Sequence, residues 1–159
     1  MKRLSLFALF SLAIFASVRA SAAGEPPARA FRTILSGASE VPAVETDAAG
    51  AAAAVALPFG QGVVTSTHGL EDIQAAHIHL ASEGQNGPVV VSLFGNGPVT
   101  RNGLLSLVLV QDDDLVGPLA GQTVDDLVEE IRNGNAYINV HTAANPGGEL
   151  RGQLTNAGR

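Results

Sequence analysis

The chain has 159 residues, 9 basic and 15 acidic, for a formal net charge of −6. That balance excludes a nucleic-acid binder, which needs cationic side chains against phosphate, and gives no attraction to anionic membrane surfaces. With no cysteine there is neither a disulfide framework nor a lipobox for lipid attachment, so stability has to come from packing, helped or not by a bound metal.

The first residues read as a targeting segment. Lys2 and Arg3 precede an apolar stretch 15 residues long from Leu4 to Val18, interrupted only by serines, and small residues follow at Ala20-Ser21-Ala22-Ala23. A basic start, a short apolar stretch and small residues at a cleavage point predict a secretory signal peptide, cut after Ala20, Ala22 or Ala23. The run falls short of the roughly 20 residues that span a bilayer. The expectation is therefore a signal at 1–23, no membrane span after cleavage, and a secreted or periplasmic protein. Removing residues 1–23 leaves 136 residues with 6 basic and 15 acidic side chains, a net charge of −9. That length suits one domain with a real core. An acidic exported chain suits a cationic partner or a divalent metal.

A loose leader is expected at 24–30, followed by one domain at 31–155. Phe31–Leu35 predicts a strand, and Pro42 makes Glu40–Asp47 extended loop or edge. Gly50–Phe59 is rich in alanine, but the bracketing glycines and Pro58, with Val55 and Leu57 at alternate positions, favour a strand over a helix. Val63–His68 is a β-branched run and the next strand. Ala75–Leu80, Val89–Phe94 and Leu104–Val110 follow as strands, separated by turns at 83–88 and 95–98. In the first of these turns, Asn86-Gly87 supplies the positive φ a tight turn needs. Asp112-Asp113-Asp114 reads as a solvated acidic loop, because consecutive acids lack the spaced ligands of a calcium loop. Thr123–Arg132 is the one helix. It has a capping threonine, acids in its first turn, an apolar face of Val124, Leu127, Val128 and Ile131, and a stop at Asn133-Gly134. Asn135–Thr142 and Glu149–Leu154 close the set as strands joined by a Pro146-Gly147-Gly148 turn. Many short strands with one helix predict a mainly β, antiparallel immunoglobulin-like sandwich or barrel.

Three of the four histidines fall in two of these strands. His77 and His79 flank Ile78, so their imidazoles share one strand face about 7 Å apart at Cα, from a rise of ~3.3 Å per residue. Tyr137, Asn139 and His141 share a face of the later strand. If the strands meet, His77, His79 and His141 form a site for copper or zinc, for which neutral imidazole is a good ligand, with His68 a fourth ligand if the hairpin register allows. The competing reading has the same histidines holding turn backbone, Glu149 or Asn139. Asn139, Thr142, Glu149 and Arg151 are open to the same two readings: a polar shell in which a carboxylate orients an imidazole, or a network that fixes the turn, with Glu40 and Arg151 as an ion pair. No nucleophile elbow, phosphate loop or dinucleotide fingerprint is present.

The order of Leu35-Ser36-Gly37-Ala38-Ser39-Glu40-Val41-Pro42, His77-Ile78-His79 and Gly84-Gln85-Asn86-Gly87-Pro88-Val89-Val90 resembles the CHRD domain. The likeness continues through Gly134–Thr142 and Asn145–Leu154. The family often has two prolines after Glu-Val, where this chain has Pro42 then Ala43. The domain occurs in the extracellular antagonist chordin and as single-domain secreted bacterial proteins, and the resemblance implies an immunoglobulin-like β-barrel. Growth-factor binding does not carry over, because the cysteine-rich modules that accompany the domain in chordin are lacking here. Three functions follow as expectations. The first is an exported, non-catalytic protein that binds a metal ion or another exported protein through the histidine face. The second is a copper-dependent redox enzyme, since copper, zinc superoxide dismutases also set a His-x-His strand beside a later-strand histidine, although the histidines of their zinc-binding loop have no counterpart here. The third is a structural envelope component. The oligomeric state is left open.

Overall fold

The structure, a computed structural model, describes residues 29–158, so the expected signal at 1–23 and most of the leader lie outside the described residues. The chain forms one antiparallel sheet in which β1 (Ala30–Ser36), β2 (Ala49–Leu57), β3 (Gly60–His68), β4 (Ile73–Leu80), β5 (Val89–Phe94), β6 (Gly103–Val110), β7 (Ala136–Thr142) and β8 (Leu150–Gln153) run in the order β5-β4-β7-β8-β1-β2-β3-β6. A short β9 (Thr155–Asn156) pairs with β1. The two terminal strands, β5 and β6, lie alongside each other, so the sheet is a nearly closed barrel. The expected mainly β, barrel-like fold with one short helix is what forms. Ala30, expected in the leader, already pairs with Val55.

The alanine-rich segment is a strand for a packing reason. Across the β1–β2 ladder Phe31 faces Ala54 and Leu35 faces Gly50. All four lie inward or against the interior, so large side chains of β1 meet small ones of β2, and a Cβ on Gly50 would sit 3.0 Å from Leu35 Cδ1 and 2.7 Å from the Ser66 carbonyl oxygen. Helix propensity of alanine loses to burial opposite Phe31 and Leu35.

The helix α1 (Val124–Arg132) packs against β3, β7 and β9. Thr123 and Asp126 form a capping box: the Thr123 hydroxyl accepts from the Asp126 N–H and the Asp126 carboxylate accepts from the Thr123 N–H. Asp112 adds a second cap, accepting from the Val124 N–H at 2.7 Å. The aspartates at 112–114 are thus a 3-10 turn with capping work to do, beyond the solvated loop expected. Among the described residues no helix is long and apolar enough to cross a membrane.

The interior is aliphatic. Ile78, Val90, Val91, Ile138, Val140 and Leu150 are fully buried in it. The opposite face of β4, β7 and β8 should meet water in an open sheet, yet Tyr137, Asn139 and Arg151 are buried there as well. Loops 37–48, 81–88 and 143–149 supply the cover, through hydrogen bonds that tie each of them to side chains of β7 or β8 or to one another. This roofed outer face holds the three histidines.

Candidate metal centre

The β4–β7 ladder sets His77 opposite Asn139, His79 opposite Tyr137 and Ala75 opposite His141. His77 therefore lies between its own neighbour His79 and the diagonal His141, within reach of both. The ring centroids are 5.7 Å apart for His77–His79, 5.1 Å for His77–His141 and 5.8 Å for His79–His141. His68 does not join them. It ends β3, whose neighbours are β2 and β6, and it is exposed opposite Ala49. The hairpin register needed for a fourth ligand does not occur, because β3 and β4 are not neighbours in the sheet.

The turns fix two of the rings. His79 Nδ1 donates to the Gly87 carbonyl at 2.9 Å, and His141 Nδ1 donates to the Pro146 carbonyl at 3.0 Å. A carbonyl only accepts, so in each ring the proton sits on Nδ1 and the Nε2 lone pair is left over. Both Nε2 atoms are buried without a hydrogen-bond partner, and so is His77 Nδ1. One ligand nitrogen from each of the three residues lies within 4.8 Å of the others. Three buried nitrogens without a partner are costly in an apolar setting unless a donor or an ion takes up their lone pairs. The two readings of the sequence are therefore not exclusive: one nitrogen of His79 and of His141 holds backbone, and the other is free to bind. The expected partners Glu149 and Asn139 do not hold these rings, and carbonyls take the orienting place expected of a carboxylate. The group could hold a metal ion.

The same geometry keeps the rings neutral. His77 is pushed down to about 4, chiefly by burial and then by its neighbours His141 and His79. Burial also lowers His79, opposed by its bond to the Gly87 carbonyl, with His141 and Arg151 lowering it further. His141 is lowered by burial against its bond to the Pro146 carbonyl.

The surrounding shell divides into two parts. Glu149 accepts from Thr46, Thr142 and Asn145, and so ties the 143–149 turn to loop 37–48; those hydrogen bonds outweigh burial and keep its carboxyl acidic. This is the turn-fixing network expected of Thr142 and Glu149. Arg151 behaves otherwise. Its guanidinium lies 3.6 Å from the centre of the Tyr137 ring and donates to Asn86 Oδ1 and the Gln85 carbonyl, so it fastens loop 81–88. On its other side Tyr137 stacks on His79, with centroids 4.9 Å apart and 15° between planes. The column Arg151–Tyr137–His79 sets the height of the second imidazole. Gly87 completes it: its carbonyl holds His79, its N–H donates to the Tyr137 hydroxyl at 3.1 Å, and a side chain there would strike the Leu80 carbonyl. The Asn-Gly turn needs Gly87 for close approach, and the positive φ falls at Gly84 instead.

Glu40 and Arg151 do not form a direct ion pair. The Glu40 carboxylate is buried, accepts from Asn139 Nδ2 at 3.5 Å, and has its second oxygen without a partner. Burial raises its pKa from 4.5 to about 7, against the lowering pull of Arg151, Asn139 and Val41. A carboxyl whose folded pKa lies above its unfolded value loses stability as pH rises between the two. Glu40→Gln, which does not titrate, should gain on the wild type by on the order of 3 kcal/mol between pH 4 and pH 8, at about 1.36 kcal/mol per pKa unit. Urea melts of both proteins at the two pH values measure the gap, and a pH-independent gap contradicts the assignment.

Sequence reasoning found the three histidines and the polar residues around them. It missed the Arg151–Tyr137–His79 column and the two anchoring carbonyls. The spacing of Tyr137, Asn139 and His141 on one strand face was the available signal, but nothing in it says that a loop returns over that face. The protein-family description that matches the chain is the CHRD domain, over residues 31–154. No curated protein and no solved structure matches it. With most of its length inside that match, and with the Leu35–Pro42, His77–His79 and Asn145–Leu154 motifs all gathered around one roofed face, the chain belongs to the CHRD domain family.

Proposed function

We propose that this protein is an exported, non-catalytic CHRD domain that binds one copper or zinc ion through His77, His79 and His141. The observation that carries the reading is the trio of buried, unpartnered imidazole nitrogens, two of them on rings that turn carbonyls hold by the other nitrogen. Neutral imidazoles with the far nitrogen hydrogen-bonded are the usual form of a histidine metal ligand, and the bond raises ligand basicity. An all-imidazole set suits copper or zinc better than magnesium or calcium, which prefer oxygen. Metal–nitrogen bonds of about 2.0–2.1 Å require an ion to draw the rings together from their present spacing. Three protein ligands leave at least one position for water or for a group from another exported protein.

Metal analysis of protein purified without an affinity tag, before and after addition of Cu²⁺ or Zn²⁺, tests the reading. One ion per chain is expected for the wild type and none for His77→Ala/His79→Ala; equal uptake by the two sinks it. If copper is bound, a superoxide turnover assay separates carriage from redox catalysis. Uptake should also resist acid. Protons compete with metal only near the folded pKa values, and all three rings are lowered, His77 to about 4. Affinity should change less than tenfold between pH 7 and pH 5.5, where three ordinary histidines with pKa about 6.5 would lose on the order of a hundredfold or more. A loss of that larger size, read by competition with a chromogenic chelator of known pH dependence, would count against burial as the control.

A further inference from the structure

A second face of the barrel is apolar and is left uncovered by the described residues. On the outer side of β1, β2, β3 and β6 the cross-strand rows run Ile34–Ala51–Ser66–Leu104, Arg32–Ala53–Val64–Leu107 and Ala30–Val55–Gly62–Leu109. Ile34 is 73% exposed, Leu107 74% and Leu104 54%, and Val55 and Leu109 are exposed as well. None of the 15 acidic residues of the chain lies on these four strands, and Arg32 is the one charged side chain in these rows. The exposed apolar side chains amount to roughly 600 Å², at the top of the range that a monomer leaves open.

Leucines of β6 stand along one margin and Ile34 at the other, with the smaller side chains of Ala51, Ala53, Val55, Val64 and Ser66 and with Gly62 between them. Two copies related by a two-fold axis would bring these faces together as sheets pack face to face, about 10 Å apart. Two such faces together remove about 1,200 Å² from water, the lower end of the range for specific, stable interfaces. Charge disfavours an anionic lipid surface as the occupant. A lipid surface with anionic headgroups would meet a chain of net charge −6 through a face holding a single arginine.

We propose that this face joins two copies of the chain in a symmetric dimer, leaving the histidine site on the other side of each barrel open. Sedimentation equilibrium of the wild type from 1 to 300 μM, beside Leu107→Glu and Ile34→Lys, tests it. Each substitution lies at an exposed position, so the circular dichroism and melting temperature should stay within the wild-type range. The wild type should reach a dimer over that span, and both variants should stay monomeric at concentrations where the wild type is at least half dimeric. A wild type that remains monomeric at 300 μM overturns the proposal, as does a dimer that both variants keep. Flotation of the wild type with neutral or anionic vesicles, lost in Leu107→Glu, would overturn it too by giving the face to lipid.

Discussion

Arg151→Ala is expected to destabilise the fold by about 3–5 kcal/mol, at the large end for a single substitution, because a lost cation–π contact, lost charged hydrogen bonds and a cavity add together. Only 2% of Arg151 is exposed, and its truncation acts in three ways at once. The Tyr137 ring loses the cation on its face, worth about 0.5–2 kcal/mol. Asn86 Oδ1 and the Gln85 carbonyl lose a charged donor, at about 1.5–3 kcal/mol for such bonds. A cavity remains under loop 81–88, and cavities add to the cost of lost contacts. Arg151→Lys should recover little, because a single ammonium cannot both stack on Tyr137 and reach two acceptors. Urea denaturation with m unchanged reads the loss directly. A destabilisation below about 1 kcal/mol would show that the loop is held by something other than this guanidinium.

Metal should stabilise the fold by an amount set by its affinity. At a free concentration one hundred times Kd, binding to the native state alone adds about 2.7 kcal/mol. For a domain of this size that is a rise in Tm of about 8–10 °C. The rise belongs to the three nitrogens, so His79→Ala should abolish it while leaving a fold that still melts cooperatively. Its own cost in the absence of metal should be modest, because removing a ring with an unsatisfied buried Nε2 offsets part of the packing lost against Tyr137. Differential scanning calorimetry with and without Zn²⁺ separates the two. An equal rise in wild type and variant would place the ion elsewhere on this acidic chain.

The legible part of the fold was whatever depends on local alternation. Ile78 between His77 and His79, and Ile138 and Val140 between Tyr137, Asn139 and His141, gave the strands and the face each residue shares. The helix was legible from its cap and its apolar spacing. What depends on long-range return of the chain was not. His68 was a possible fourth ligand if its strand formed a hairpin with the His77 strand in a suitable register, but the sheet order separates β3 from β4. Glu40 and Arg151 looked like an ion pair because their charges are opposite, but Arg151 spends its donors on Asn86 and the Gln85 carbonyl. Gly148 shows the same limit. Its place is set by Asn139 and Glu40, 99 residues apart in sequence, both of which a Cβ there would strike. Loops decide these features, and loop closure leaves no periodic mark in sequence.

The most direct test of the site is a count of the nitrogens that hold the ion. The protein loaded with one equivalent of Cu²⁺ and examined by electron paramagnetic resonance, or with Zn²⁺ by X-ray absorption, should show three imidazole nitrogens in the first shell, and two after His141→Ala. A first shell of oxygen alone, or a nitrogen count that His141→Ala leaves unchanged, would contradict the account.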